Sequence, residues 1–382
     1  MTARTTILIG LLIALLASGC GAASREQGTQ PPTARPPALY TVGKSLLGVP
    51  GRARVTLAAA PVTPLAGWLT PAAVPSPDGR YIAYNAWHEI RKDDPALSWK
   101  DQGISQGDPL ARPSIRLHDL QTSADKPYVD GGFSLAWRSD GAVAYFQGAE
   151  REYRAGVPYV GHIVVRNSVG SRARRWTTTD DRYIVAGWAG PTLLAYREHE
   201  GEALDLLALD GPGEVRVFAA NAGLVAISPD GSDALVEHGP ETGPPRVQLL
   251  AVASGARLAT LDLTTVDPAV GVVSYAGDWQ GSMAVAPSAS GVAVFRISGR
   301  TIELVRAVRA AGGGGVAEPR FAGGTHVTGW KSTSSGGAFV DCDRLTGRCG
   351  RVVPLPTARG VNGFPTWRRP VYNPSRPREG GQ

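Results

Sequence analysis

The sequence predicts an all-β fold of repeated four-stranded units, and three observations carry that expectation. First, a short unit, an apolar run closed by a glycine turn, recurs along the chain. Its clearest copies are VPSPDG (Val74 to Gly79), FSLAWRSDG (Phe133 to Gly141), YIVAGWAG (Tyr183 to Gly190) and LVAISPDG (Leu224 to Gly231). Weaker copies are VVSYAGDWQG (Val272 to Gly281), EPRFAGG (Glu318 to Gly324) and GFPTW (Gly363 to Trp367). Second, the turn glycines 79, 141, 190, 231, 281 and 324 are spaced 62, 49, 41, 50 and 43 residues apart. That is the period of a β-propeller blade, with one large insertion in the first unit. Third, 48 Gly and 30 Pro punctuate many short Val, Ala and Leu runs, with no sustained 3.6-residue periodicity.

Met1 to Gln30 opens with Arg4 and a run from Ile7 to Ala17 that is apolar apart from Gly10, followed by Ser18, Gly19 and Cys20. A bilayer-spanning helix needs roughly twenty apolar residues, so this shorter run reads as a signal peptide over residues 1–20. Small residues placed before a lone Cys resemble a bacterial lipobox, with Ala17 standing where Leu is usual. The resemblance implies that Cys20 is lipidated and becomes the mature N-terminus; ordinary secretion with Cys20 cleaved away is the alternative.

Residues 21–38 carry Pro31, Pro32, Pro36 and Pro37 on a polar background. Such a segment has too little apolar surface to offset its conformational entropy and reads as an extended tether. Residues 39–372 have the composition of one folded region, the propeller, and residues 373–382 form a polar tail.

Within the first unit, Asp78 and Gly79 are expected to make a two-residue hairpin turn, with Pro77 ending the strand before it. Arg80 to Tyr84 is the strand that follows. Comparable second strands are Ala142 to Phe146 and Thr192 to Tyr196. Outer hairpins fit 114–129, 204–218, 247–261 and 292–308. Trp137, Trp188 and Trp367 fall at one repeat position and read as structural. Seven first strands predict seven blades, with six as the alternative. The last unit runs out of chain after its first strand, while residues 39–60 hold two strands with none before them. Pairing of the N- and C-terminal strands is therefore expected to close the ring, leaving only short protected edges.

Units such as AWRSDG and ISPDG are similar to the WD40-like repeats of TolB-type β-propellers. Five Lys (44, 92, 100, 126 and 331) among 39 basic residues leave 34 Arg. That bias, with the lipobox, resembles TolB-like lipoproteins of high-GC actinobacteria. The resemblance implies a membrane-anchored, extracytoplasmic propeller. It does not select a function, because the same repeat serves binding proteins and the non-catalytic domains of peptidases. No counterpart of TolB's N-terminal α/β domain precedes the strands.

Cys342 and Cys349 flank a D-R-L-T-G-R turn. In an exported chain, two Cys facing each other across a hairpin read as a disulfide; two free thiols or a metal site are the alternative. The formal charge of +6 comes mostly from dispersed Arg residues, with clusters at Arg172, Arg174 and Arg175 and at Arg368 and Arg369. Because the chain is expected outside the cell, nucleic acid is not the expected partner; anionic lipid or wall polymer is, or the Arg residues are simply a solvated surface.

GISQG (Gly103 to Gly107) has the form of a nucleophile elbow, but neither strand nor helix frames it, so Ser105 is not expected to be catalytic. Gly312 to Gly315 reads as an interblade loop rather than a phosphate cradle. The six His, at 88, 118, 162, 199, 238 and 326, are scattered singly, and no cofactor or metal is expected.

The insertion Asn85 to Pro113 stands apart from the repeat. It carries Trp87, His88, Asp93, Asp94, Trp99, Asp101 and Asp108, and long loops bearing aromatics are a candidate binding element. Folding of both Trp side chains onto the blade's own core is the alternative. The expected function is therefore non-enzymatic: a monomeric lipoprotein that binds a protein partner or a cell-envelope component. The other class is a carbohydrate-active enzyme, or a small-molecule or glycan binder, working in the central funnel with paired carboxylates.

Overall fold

The structure is a computed structural model. It describes residues 38–42, 45–49, 54–59, 73–89, 111–148, 160–198, 204–238, 245–266, 277–310, 314–333 and 336–354. Among these the only helix is the single turn Leu263–Val266.

Six antiparallel four-stranded sheets follow one another, each in strict up-and-down order. The first blade is β4 (Ala73–Pro75), β5 (Tyr81–Glu89), β6 (Ala111–Asp119) and β7 (Asp125–Asp130). The second is β8 (Gly132–Trp137), β9 (Val143–Gly148), β10 (Gly161–Arg166) and β11 (Arg174–Arg175). The third is β12 (Tyr183–Ala189), β13 (Thr192–Glu198), β14 (Leu204–Gly211) and β15 (Glu214–Ala219). The fourth is β16 (Ala222–Ile227), β17 (Asp233–His238), β18 (Arg246–Ala251) and β19 (Arg257–Asp262). The fifth is β20 (Asp278–Gln280), β21 (Met283–Ser288), β22 (Gly291–Ser298) and β23 (Thr301–Arg309). The sixth is β24 (Ala317–Gly323), β25 (His326–Thr333), β26 (Gly336–Asp343) and β27 (Arg348–Pro354). Together they form the expected all-β propeller.

Ahead of them lies a three-stranded sheet, β1 (Ala38–Val42), β2 (Ser45–Val49) and β3 (Arg54–Thr56). The sequence predicts two strands here and the structure has three. The strand at 363–367 expected to complete this sheet, and with it the closure of the ring and the seventh blade, lies outside the described residues.

The core is a series of seams between neighbouring sheets. Strand β17 shows why. Its Ala234 and Val236 pack with Leu194, Tyr196 and Leu206 of the third blade, whereas the intervening Leu235 packs with Trp279, Ala284 and Phe295 of the fifth. A middle strand is thus apolar on both faces, which is why these strands read as continuous hydrophobic runs rather than alternating ones. Outer strands are wetter: along β15 four of six residues are exposed or half-buried. The first seam holds the N-terminal sheet, where Val55 and Leu57 pack on Ile82, Tyr84 and Ala86.

The turns differ from expectation. Residues 76–80, rather than Asp78 and Gly79 alone, separate β4 from β5. Gly79 N–H donates to Ser76 O (2.9 Å), Ser76 N–H donates to Tyr81 O (2.8 Å), and Tyr81 N–H donates to Ser76 Oγ (2.8 Å). The Ser76 hydroxyl in turn donates to the Asp78 carboxylate. Serine therefore braces a wider turn whose last corner is the left-handed Gly79, with φ of 69°. Ser228 to Gly231 repeats it, with Asp233 N–H donating to Ser228 Oγ at 2.9 Å.

The repeat-position tryptophans tie blades together. Trp137 Nε1 donates to Val74 O of the first blade (3.3 Å), and Trp188 Nε1 donates to Ala136 O of the second (3.2 Å). Trp367 lies outside the described residues.

Candidate functional site

Up-and-down strand order sends every connection of one kind to the same side. The turns between strands one and two, and between three and four, lie on one face of the propeller. Loops between strands two and three, and links from one blade to the next, lie on the other.

The first blade is longest on that second face. Its β5 and β6 stay paired through Trp87↔Pro113, His88↔Arg112 and Glu89↔Ala111. The inner strand β4 pairs no further along β5 than Tyr84, and the outer strand β7 pairs no further along β6 than Ser114. Among the described residues, three rungs of ladder thus run beyond the pairings of both flanking strands as a two-stranded arm. This corrects the reading of Asn85 to Pro113 as loop throughout: 85–89 and 111–113 are strand. An insertion that begins in register with a sheet continues its ladder, because each added rung satisfies backbone groups that a loop would leave to water.

Asn85 anchors the arm's root. It is 1% exposed, and its Oδ1 accepts the backbone N–H of Ser134 in the second blade at 3.1 Å. Ser134, at φ of 56°, occupies a β-bulge, and its hydroxyl donates to Val185 O of the third blade (3.1 Å). One buried chain of hydrogen bonds therefore crosses three blades beneath the arm. Of the candidate binding residues, Trp87 and His88 sit on the arm's strand. Asp93, Asp94, Trp99, Asp101 and Asp108 lie outside the described residues, as does Ser105.

Polar side chains missed in the sequence gather on the same face, at the ends of second strands and the starts of third strands. In the second blade His162 Nδ1 lies 3.3 Å from Asp180, which also takes Arg175 at 2.9 Å. Burial, helped by the Arg175 charge, holds the His162 imidazole below its usual range. In the third blade Arg197 meets Asp205 at 3.2 Å, and burial pushes the Glu198 carboxyl up against the opposing pull of Arg182. In the fourth blade burial, helped by the Arg246 charge, holds the His238 imidazole below its usual range, and its Nε2 shares a hydrogen bond with Gln248 Oε1 at 3.1 Å. Glu237 beside it is 3% exposed, and its Oε1 is buried without a hydrogen-bond partner. Desolvation pushes this carboxyl up to about 8. These groups are single letters some forty residues apart, so the signal available in the sequence was only that they flank the second-to-third-strand loops.

Cys342 and Cys349 are directly paired across β26 and β27 and form the expected disulfide. Gly314 and Gly315 lie on the link from β23 to β24. Among the described residues no three His, Cys, Asp or Glu side chains gather as a metal site, and no helix is long and apolar enough to cross a membrane. Cys20 and the leader lie outside the described residues.

No protein-family model matches the chain, and no curated protein matches its sequence. Solved structures similar to it are propellers or contain them. An oligogalacturonate lyase in complex with manganese shares 12% identity over 77% of this chain and 81% of its own, with a TM-score of 0.50. The β-propeller domain of the Trilobed protease from Pyrococcus furiosus shares 12% identity over 82% and 90%, with a TM-score of 0.49. TolB from Acinetobacter baumannii shares 14% over 69% of this chain and 62% of its own, with a TM-score of 0.39. At such identities the likeness is one of fold. The class defined here is thus a β-propeller, with an arm and a polar rim on one face.

Proposed function

We propose that this chain is a seven-bladed propeller lipoprotein, held through Cys20 on the extracytoplasmic side of a cell membrane, that binds a protein partner or a cell-envelope component without catalysing a reaction. The observation that carries the binding reading is the arm. Among the described residues this ladder continues past its pairings with both neighbouring strands and leads into a long insertion, which supports a role in presentation. Trp87 and His88 on its strand, and the Trp99 and Asp-rich segment that it carries, have the mixed aromatic and acidic chemistry used at recognition surfaces. The buried Asn85, Ser134 and Val185 chain supports the reading, since a rigid root lowers the entropy lost on binding.

The test is co-purification from detergent-solubilised native membranes, with residues 90–110 replaced by a short Gly-Ser link. The intact chain is expected to retain a partner that the replaced form loses, at unchanged far-ultraviolet circular dichroism. Cys20→Ala in the same experiment is expected to move the protein from membrane to soluble fraction. Identical companions with and without the loop would remove the arm from the binding surface.

A further inference from the structure

We propose that the opposite face of the propeller carries a phosphate-binding groove between the second and third blades. A cavity of about 520 Å³ opens there, lined by Asn167, Ser171, Arg172, Ala173, Arg174 and Arg175 of the second blade and by Pro212 of the third. Its size is that of a site for a small ligand or a headgroup. Both contributing segments are third-to-fourth-strand turns, so the groove lies on the face away from the arm. It is independent of the arm-binding reading.

Three features make the groove a site rather than a patch of charge. The first is a braced wall. Ser168 N–H donates to Ser171 Oγ (3.0 Å), the Ser171 hydroxyl donates to Ser168 O (3.0 Å), and Ser171 N–H donates to Ser168 O (3.1 Å). Arg166 Nη1 donates to Ser171 O (2.7 Å), while its Nε donates to Tyr145 OH (3.1 Å). The second is a division of labour among the arginines. Arg175 is spent on structure, donating to Thr177 O (2.6 Å) and Thr178 O (3.0 Å) and pairing with Asp180 (2.9 Å). Arg172 and Arg174 are exposed and meet no partner among the described residues, and neither does the exposed Asn167 amide. The third is the absence of acid from the lining. Of the nearest carboxylates, Asp180 is taken by Arg175 and His162, and Asp210 by Thr192 and Arg216. Glu214, two residues past Pro212, lies against Gly211 outside the lining.

Two guanidinium forks with an amide beside them match a phosphate mono- or diester, whose oxygens accept paired N–H donors. The shared chemistry is the phosphoryl oxyanion, carried either by a soluble ester or by the headgroup of an anionic lipid.

The experiment titrates the intact protein with sn-glycerol 3-phosphate by calorimetry and, in parallel, measures co-sedimentation with phosphatidylglycerol–phosphatidylcholine vesicles against pure phosphatidylcholine. Two double variants are compared at fixed ionic strength: R172Q/R174Q, and R257Q/R300Q, which removes equal charge from exposed turns on the same face. The first is expected to weaken binding about tenfold or more, the second less than about twofold. Saturable binding of glycerol phosphate with that pattern identifies a soluble ester as the source; the same pattern on anionic vesicles alone identifies the headgroup. Equal losses in both variants would reduce the groove to diffuse charge, and binding of neither probe would overturn it. Near-ultraviolet circular dichroism checks that both variants keep the wild-type fold.

Discussion

At the scale of the residue, the same turn placed in two blades illustrates how sequence and neighbourhood divide the work. Gly79 and Gly231 close identical Ser-Pro-Asp-Gly turns at φ of 69° and 74°. A Cβ added at Gly79 would meet nothing within 4 Å, whereas at Gly231 it would come 2.2 Å from the backbone nitrogen of Gly190 in the preceding blade. Gly79→Ala should thus cost about 1 kcal/mol for the left-handed backbone alone. Gly231→Ala should cost at least about twice that, because the backbone it strikes cannot turn aside. Urea midpoints at constant m value measure both, and equal losses would mean that the contact between turns relaxes freely. The motif was legible as a turn from its four letters. That one copy bears on the preceding blade was not, because nothing in those letters says what lies beside them.

Elements show where the repeat was readable and where it was overridden. The second strands at 81–84, 143–146 and 192–196 appear as the spacing predicts, since their apolar runs are buried on both faces, and so do the four outer hairpins, whose last strands are largely exposed or half-buried. Strand β11 is only two residues long and was not anticipated; it is held by Trp176 N–H donating to Ile163 O (2.8 Å) as much as by its own ladder. The β26–β27 hairpin combines a recognisable sequence signal with a partner supplied by register. With seven residues of separation, the Cys342–Cys349 link closes a short loop in the unfolded chain. Cys342→Ser/Cys349→Ser should lower stability by about 2–3 kcal/mol in the chain-entropy account. Reducing the wild type with dithiothreitol should lower the urea midpoint to the variant's value. A wild-type midpoint indifferent to reductant would mean that the hairpin is held by its packing alone.

On the scale of the whole molecule, stability resides in the seams, and Glu237 places an ionisable group in one of them. It shares a strand face with Leu235, which packs into the seam between the fourth and fifth blades. Its carboxyl is raised from the usual 4.5 to about 8 by desolvation, so over that interval the folded chain holds a proton that the unfolded chain has released. Its contribution is therefore fully present below about pH 4.5 and is lost as pH rises through about 8, amounting to a few kcal/mol. Wild-type stability should fall across this window, and Glu237→Gln should flatten the fall; parallel curves for the two proteins would show that the carboxylate finds water when it ionises. The opposite sense holds at the first seam. Desolvation of Asp125 is outweighed by hydrogen bonds from Tyr84 OH (2.7 Å), Ala58 N–H (3.1 Å) and Arg116 Nε (2.8 Å), so its carboxyl lies below the usual range. That cluster fastens the segment leaving β3 to the first blade, and its contribution is lost only in acid. The strand and turn chemistry, the repeat and hence the propeller were legible from the letters alone, because periodic apolar runs and turn glycines act through local geometry. Which single residues meet on a face emerges only once the blades are assembled: the continued β5–β6 ladder, the buried Glu237 with its orphaned Oε1, and the groove of Arg172 and Arg174. Those depend on strand register and on blades some forty residues apart being laid side by side, and neither is encoded in local spacing.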